Sequence, residues 1–249
     1  MTPRPHTHPS SLKCGKIKLQ LNGSLLAFKF PHQGNTAIHL QSILKGEVYP
    51  SLRHLGFQPT RIIDIGANLG ASAVFFHSQY PEAAIDCFEP SSENFKLLSE
   101  NLSSLPKVSL HHFGLFKEAK EATLYNGQNQ GLQHSIFPSA EVTSQGESIQ
   151  LKDVRQVLAG SIEANTLIKI DTEGCELPIL ERLAFALDQL KVIYLEFHSE
   201  KDRIAIDGLL EQTHGLWHAA VKNPHRGDLC YVHRSLWENS PHIEAQRVH

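Results

Sequence analysis

The chain has 249 residues, with 23 basic against 26 acidic side chains for a formal charge of −3; 41% of it is apolar and 20% charged, which excludes a disordered or collagen-like chain. No apolar run approaches the roughly 18 residues that span a bilayer. The Pro- and His-rich start, Met1 to Ser10, lacks the apolar stretch of an export signal, and the near-neutral balance argues against a dedicated nucleic-acid binder.

In chain order, residues 16–30 alternate apolar and polar side chains around Asn22-Gly23, a strong hairpin signal. A helix is expected over 36–55, and Pro59 precedes a change of rhythm. Short apolar runs then alternate with helical periods. The runs are 61–65, 84–89, 108–112, 167–171 and 192–197, with weaker ones near 217–221 and 228–232. Ala73, Phe76 and Tyr80 share one helical face, as do Phe95, Leu98 and Leu102. Leu177, Leu180, Leu183, Ala184 and Leu187 mark a third helix, and Ile206, Leu209 and Leu210 a fourth. Buried runs alternating with amphipathic helices predict an α/β fold, a parallel sheet covered on both faces. The segment 114–146, rich in Gln, Asn, Ser and Gly, breaks the rhythm and reads as a long loop of the functional or disordered kind. The organisation expected is a tail, hairpin and helix over 1–58 packing on or capping a core of 59–235, followed by a tail over 236–249.

Cys14, Cys87, Cys175 and Cys230 are too far apart for a zinc knuckle or a redox dithiol, and Cys87 sits in an apolar run as a core residue. With no export signal, the reducing cytoplasm is the expected compartment. No histidine pair has the spacing of a zinc helix, and no metal is assigned.

Four of the apolar runs end in, or just before, an acid: Asp64, Glu89, Asp171 and Glu196. In an open parallel sheet the carboxyl ends of the strands share one edge, where ligands bind. Four carboxylates there cost several kcal/mol in desolvation and repulsion unless a ligand, cation or water compensates, which points to an enzyme. The first opens Asp64-Ile65-Gly66-Ala67-Asn68-Leu69-Gly70 between a strand and a helix, where glycines let backbone approach a ligand closely. Glu89, 23 positions after Gly66, ends the next strand and is placed for the hydroxyls of a ribose. A dinucleotide turn needs glycine where Asn68 stands, so a nucleoside without phosphates, S-adenosylmethionine, fits better; Asp64 would help hold its amino-acid end.

The Asp64–Gly70 turn, Phe88-Glu89-Pro90 with Asn94-Phe95 and Leu98, Lys169-Ile170-Asp171-Thr172-Glu173-Gly174-Cys175-Glu176 and Glu196-Phe197-His198 together resemble the motifs of the FkbM-type methyltransferases, over roughly residues 61 to 233. Those are class I S-adenosylmethionine-dependent enzymes, many of them O-methylating sugars or natural-product hydroxyls. The resemblance implies a Rossmann-like fold, a seven-stranded, mostly parallel sheet whose last strand is antiparallel. It places Asp64, Gly66, Ala67, Asn68 and Gly70 around the methionine part of the donor, Glu89 on the ribose with Pro90 and Ser91 shaping that wall, and Gly114 beside the adenine. The acid or amide often found beside adenine is absent near Gly114, and the 114–146 insert has no clear match.

An attacking hydroxyl needs a base. Asp171 and His198 are the candidates, with Glu196 beside His198 on the same side of the fifth strand. Asp171, Glu173 and Glu176 have an alternative use in charging a helix N-terminus. His198 has one as a hydrogen-bonding anchor, and Asp171, Glu173, Glu196 and His198 would suit a hard divalent cation. Ser135, in the insert, is a candidate for the acceptor pocket. The expected partner is a small-molecule or glycan acceptor, with the hairpin and the insert forming a rim over it. The competing readings are an NAD(P)- or nucleotide-sugar-dependent enzyme on a related sheet, and a non-catalytic S-adenosylmethionine-binding subunit. The acceptor's identity and the oligomeric state are not legible in the sequence.

Overall fold

A computed structural model describes residues 14–21, 23–32, 35–126, 134–136 and 146–237. The expected hairpin is present as β1 (Cys14–Leu21) paired antiparallel with β2 (Ser24–Pro31). Of its turn dipeptide, Asn22 lies outside the described residues. Phe28 and Phe30 carry β2 into the same apolar cluster as Leu98 and Leu102. Asn101 fastens the hairpin there: it accepts from the Lys29 N–H at 2.7 Å and donates to the carbonyls of Lys29 and Leu69, both at 2.9 Å. The hairpin is thus held from the side rather than set over the sheet edge. The helix expected over 36–55 is shorter, α1 (Thr36–Leu44), with one 3-10 turn at Arg53–Leu55. Gly46, at φ 77°, turns the chain away after α1 and lets Tyr49 enter the core.

The βα rhythm follows as β3 (Arg61–Ile65), α2 (Ala71–Gln79), β4 (Ala84–Phe88), α3 (Ser92–Leu102) and β5 (Val108–His111). In β3, Ile63 and Ile65 enter one apolar cluster and Ile62 the other, so the strand is buried on both faces. Where it is described, the segment expected as a loop is mostly strand and joins a second sheet. Its strands are β6 (Gly114–Phe116), β7 (Lys120–Asn126), β8 (His134–Ser135) and β9 (Glu147–Asp153), in the order β6-β9-β7-β8. Leu124, Ile149 and Leu151 supply its buried face. Its alternating positions are few and set among polar residues, and the central strand β9 lies beyond the insert, so no local period announced it. The parts of the insert at 127–133 and 137–145 lie outside the described residues.

After α4 (Val154–Leu158) come β10 (Thr166–Ile170), α5 (Glu176–Arg182), β11 (Leu190–Phe197), α6 (Glu200–Leu210), β12 (His214–Asn223), β13 (Arg226–His233) and α7 (Arg234–Trp237). The third expected helix breaks early, giving way to a 3-10 turn at Ala184–Ala186. The main sheet has seven strands in the order β12-β13-β11-β10-β3-β4-β5. Its pairs are parallel except those of β13, which runs antiparallel to both neighbours. This is the expected Rossmann-like sheet with its last strand reversed. Among the described residues no helix is long and apolar enough to cross a membrane.

Candidate active site

A cavity of about 760 Å³ runs along the carboxyl ends of β3, β4, β10 and β11, within the usual size of a small-molecule site. Of the four strand-end acids, Glu89, Asp171 and Glu196 line it and Asp64 does not. The cause is strand alternation. Asp64 shares the face of β3 that looks toward α2, where it is wholly buried and accepts a short hydrogen bond from Ser72 Oγ. Lys169 is its register partner on β10. The buried Lys169 ammonium lies 3.1 Å from Asp64 Oδ1, donates to the Gly66 carbonyl at 2.6 Å and stands 3.8 Å from Asp171 Oδ2. Asp64 therefore supports the turn through Lys169 instead of facing a ligand. Lys169 is a positioning residue the sequence reading quoted but did not use. Its signal was a lone cation between Ile168 and Ile170, since a charge in a buried run requires a buried counter-charge.

The turn itself is fixed by backbone contact. Gly66 has φ 78°, and a Cβ there would meet the Asp171 carbonyl oxygen at 1.9 Å. Gly66, Asn68, Glu89, Pro90 and Gly114 line the cavity as expected, whereas Ala67, Gly70 and Ser91 stand behind it. The Ala67 N–H bonds to the Phe88 carbonyl, Gly70 lies against Leu98 and Leu102, and Ser91 Oγ caps α3 by accepting from the Asn94 N–H. Glu89, 5% exposed, accepts the N–H of Asn68 on one oxygen and that of Ser91 on the other, each at 2.9 Å. Burial raises its pKa to about 7, against the pull of those two N–H groups. Leu115, Leu124, Ile149 and Leu151 of the second sheet give this end of the cavity an apolar wall.

The other end is ionic. Glu196 takes Arg226 in a two-point pair, Nε to Oε1 at 2.7 Å and Nη2 to Oε2 at 3.0 Å. Arg226 Nη2 also reaches Glu173 at 3.2 Å, and Lys222 bridges Glu196 at 3.3 Å and Asp228 at 3.1 Å. Burial opposes the Glu196 charge, but the nearby His198 ring and the two hydrogen bonds from Arg226 overcome it and hold the carboxyl well below the usual range. Glu196 is thus an anchor for Arg226 rather than a proton acceptor.

His198 corrects the sequence reading. It does lie on the Glu196 side, but it is outside the cavity lining, with Nε2 3.0 Å from Glu173 and 3.4 Å from Glu196, and Nδ1 3.4 Å from Glu176. Burial disfavours its charge, yet the three carboxylates outweigh that and push its pKa up to about 12. So placed, His198 holds its proton tightly and stands apart from the cavity surface. Glu176 accepts from the N–H groups of Thr172 and Gly174 and closes its own loop. Ser135 Oγ donates to the Glu173 carbonyl at 2.9 Å. Glu173, Glu196 and His198 are grouped closely enough to hold a cation, and the Arg226 guanidinium pairs with two of the three.

Asp171 keeps about a third of its side chain (32%) open. Burial drives its pKa well above the carboxylate range despite Lys169, and Glu196, Glu173 and Glu176 add repulsion. From the N-terminal side the lining includes His39 of α1 and Tyr49, which sequence reasoning did not single out; nor did it find Lys222, Arg226 or Asp228. An N-terminal helix and the far end of a reversed strand carry no local sign that they meet.

Residues 64–223 match the family described as the methyltransferase FkbM domain. The chain belongs to that family. Among curated relatives, this FkbM chain is 25% identical over 144 residues to Methyltransferase 1 of Beauveria bassiana, covering 49% of this chain and 57% of that one. It is 24% identical over 154 residues to the hexuronic acid methyltransferase AglP of Haloferax volcanii, covering 60% and 61%. It therefore spans about three fifths of the length of these curated relatives. A precorrin-6y C5,15-methyltransferase from Geobacter metallireducens is similar in structure at a TM-score of 0.43 and 12% identity, covering 81% of this chain and 90% of that one. The FkbM match takes in the glycine turn, Glu89, Asp171 and Lys222, but His39, Tyr49, Arg226 and Asp228 lie beyond its limits. The ionic end of the cavity is thus completed by Arg226 and Asp228 from just beyond the FkbM match.

Proposed function

We infer that the chain is an S-adenosylmethionine-dependent methyltransferase that O-methylates a hydroxyl of a sugar, polysaccharide or natural product. Glu89 carries this reading. A buried carboxylate, steadied by two backbone N–H groups and facing a cavity beside a glycine turn, suits the paired hydroxyls of a ribose. Asn68 stands where a pyrophosphate would require glycine, which favours a nucleoside without phosphates. When bound, S-adenosylmethionine supplies an activated methyl group on a sulfonium sulfur.

The residues divide the work. Gly66 and Asn68 hold the methionine part, with Asp64 and Lys169 bracing the turn behind them. Glu89 and Pro90 hold the ribose, and Gly114 with Leu115 and Leu151 encloses the adenine. Asp171, beside the turn and open to the cavity, orients the acceptor hydroxyl; alignment of this kind is worth roughly 7–11 kcal/mol in well-oriented intramolecular reactions. A relative named as a hexuronic acid methyltransferase supports a sugar acceptor. Four free cysteines suit a reducing cytoplasm.

Titration calorimetry on the full chain tests the reading. S-adenosylmethionine and S-adenosylhomocysteine should bind, and nicotinamide dinucleotides should give no heat. Binding of the dinucleotides with silence from both adenosyl compounds would replace this reading with the oxidoreductase one.

A further inference from the structure

We propose that His39 is the general base that takes the proton of the acceptor hydroxyl, an assignment that rests on the methyltransferase reading above. His39 is the only histidine that lines the cavity among the described residues. It stands on α1, one helical turn after Asn35, which lines the same wall. The charged groups acting on its ring are Lys222 of β12, Glu196 of β11, and Arg226 and Asp228 of β13, all of which line the cavity as well.

The alternatives are committed elsewhere. Glu196 is gripped by Arg226, Asp228 is paired with Lys222, and His198 is an imidazolium behind the lining. Asp171 stands 3.8 Å from the Lys169 ammonium, a partner that suits it to orient a hydroxyl rather than to take its proton. Partial loss of water around the ring first, and Lys222 second, lower the His39 pKa from the ordinary 6.5, although the residue keeps exposed surface. Its ring is therefore neutral at neutral pH, with a lone pair available. In the step proposed, the acceptor oxygen bonds to the methyl carbon as the carbon–sulfur bond breaks, and that electron pair leaves with sulfur. The hydroxyl proton passes to the His39 ring nitrogen. His39 is itself exposed, so the imidazolium can release that proton to solvent.

The test uses the full chain and two readouts. In histidine-labelled protein without donor, the His39 ring resonance, identified by its absence from His39→Gln, should titrate below 6.5 and move upward in Lys222→Met. A ring protonated at pH 7.5 would overturn the assignment. In the second readout, labelled methyl is transferred from the donor to a fractionated lysate. His39→Gln should lower transfer by about 100-fold or more, abolish the acidic limb of the pH–rate profile measured at saturating donor, and leave S-adenosylhomocysteine affinity within about twofold. A fully active His39→Gln overturns the His39 role alone. A wild-type chain that binds no adenosyl donor and transfers no methyl overturns the methyltransferase reading beneath it.

Discussion

Lys169 Nζ lies 3.1 Å from Asp64 Oδ1, the ammonium 3% and the carboxylate 0% exposed, on adjacent strands in register. Burial alone would discharge this lysine, but Asp64 and Asp171 more than compensate and hold its pKa above the ordinary value. The pair ties the glycine turn to the loop after β10. Removing one partner of a buried pair typically destabilises by about 3–5 kcal/mol, because the other is left uncompensated. Lys169→Met should show a loss of that order in urea denaturation, and adding Asp64→Asn should restore part of it. A loss under about 1 kcal/mol would mean that the pair does not hold the turn.

Glu89 should make donor affinity pH-dependent. Its carboxylate must be ionised to accept two hydroxyl hydrogens, and its pKa without ligand is raised to about 7. Donor affinity should therefore fall as pH drops from 8 to 6. Glu89→Ala should weaken binding by about 1.5–3 kcal/mol, the range for a lost hydrogen bond to a charged group. Calorimetry at pH 6 and 8 checks both; affinity that is flat with pH in the wild type and unchanged in the variant removes Glu89 from the ribose.

Gly66→Ala should abolish donor binding. A Cβ there meets the Asp171 carbonyl oxygen at 1.9 Å on a φ of 78°, so the turn and the loop must separate. Left-handed strain adds about 1–3 kcal/mol. A thermal melt and a binding isotherm report both effects, and a variant that binds donor normally would show that the turn has room the geometry denies.

His198 should link stability to pH. Its pKa is raised from 6.5 to about 12 in the folded chain, so the folded state binds the proton more tightly than the unfolded one. Its contribution is complete below pH 6.5 and declines as pH rises above it, by at most about 1.4 kcal/mol per pH unit. The stability difference between wild type and His198→Gln should therefore narrow from pH 6 to pH 9 in urea denaturation. A constant difference would mean that the imidazole is neutral when folded.

Asp171→Asn should separate turnover from donor binding. Loss of the orienting carboxyl should lower kcat by about 100-fold while the donor Kd stays within about twofold. Equal losses in both would place Asp171 in donor binding instead.

The sequence by itself determined the α/β class, the five mutually parallel strands of the sheet, the hairpin, and a glycine turn followed by Glu89. These rest on periods of two and 3.6 residues and on residue types whose meaning is local. It also gathered Glu89, Asp171 and Glu196 at one sheet edge, because parallel strands end together. Only the tertiary structure decided what each acid meets. Strand alternation turned Asp64 inward to Lys169; three carboxylates from separate loops and strands fixed His198 as a cation; β9, lying beyond the insert, drew it into a second sheet; and α1 brought His39 toward β12 and β13. Each of these depends on partners distant in the chain. A side chain's charge is set by the groups packed around it, and folding, not sequence neighbourhood, selects those groups.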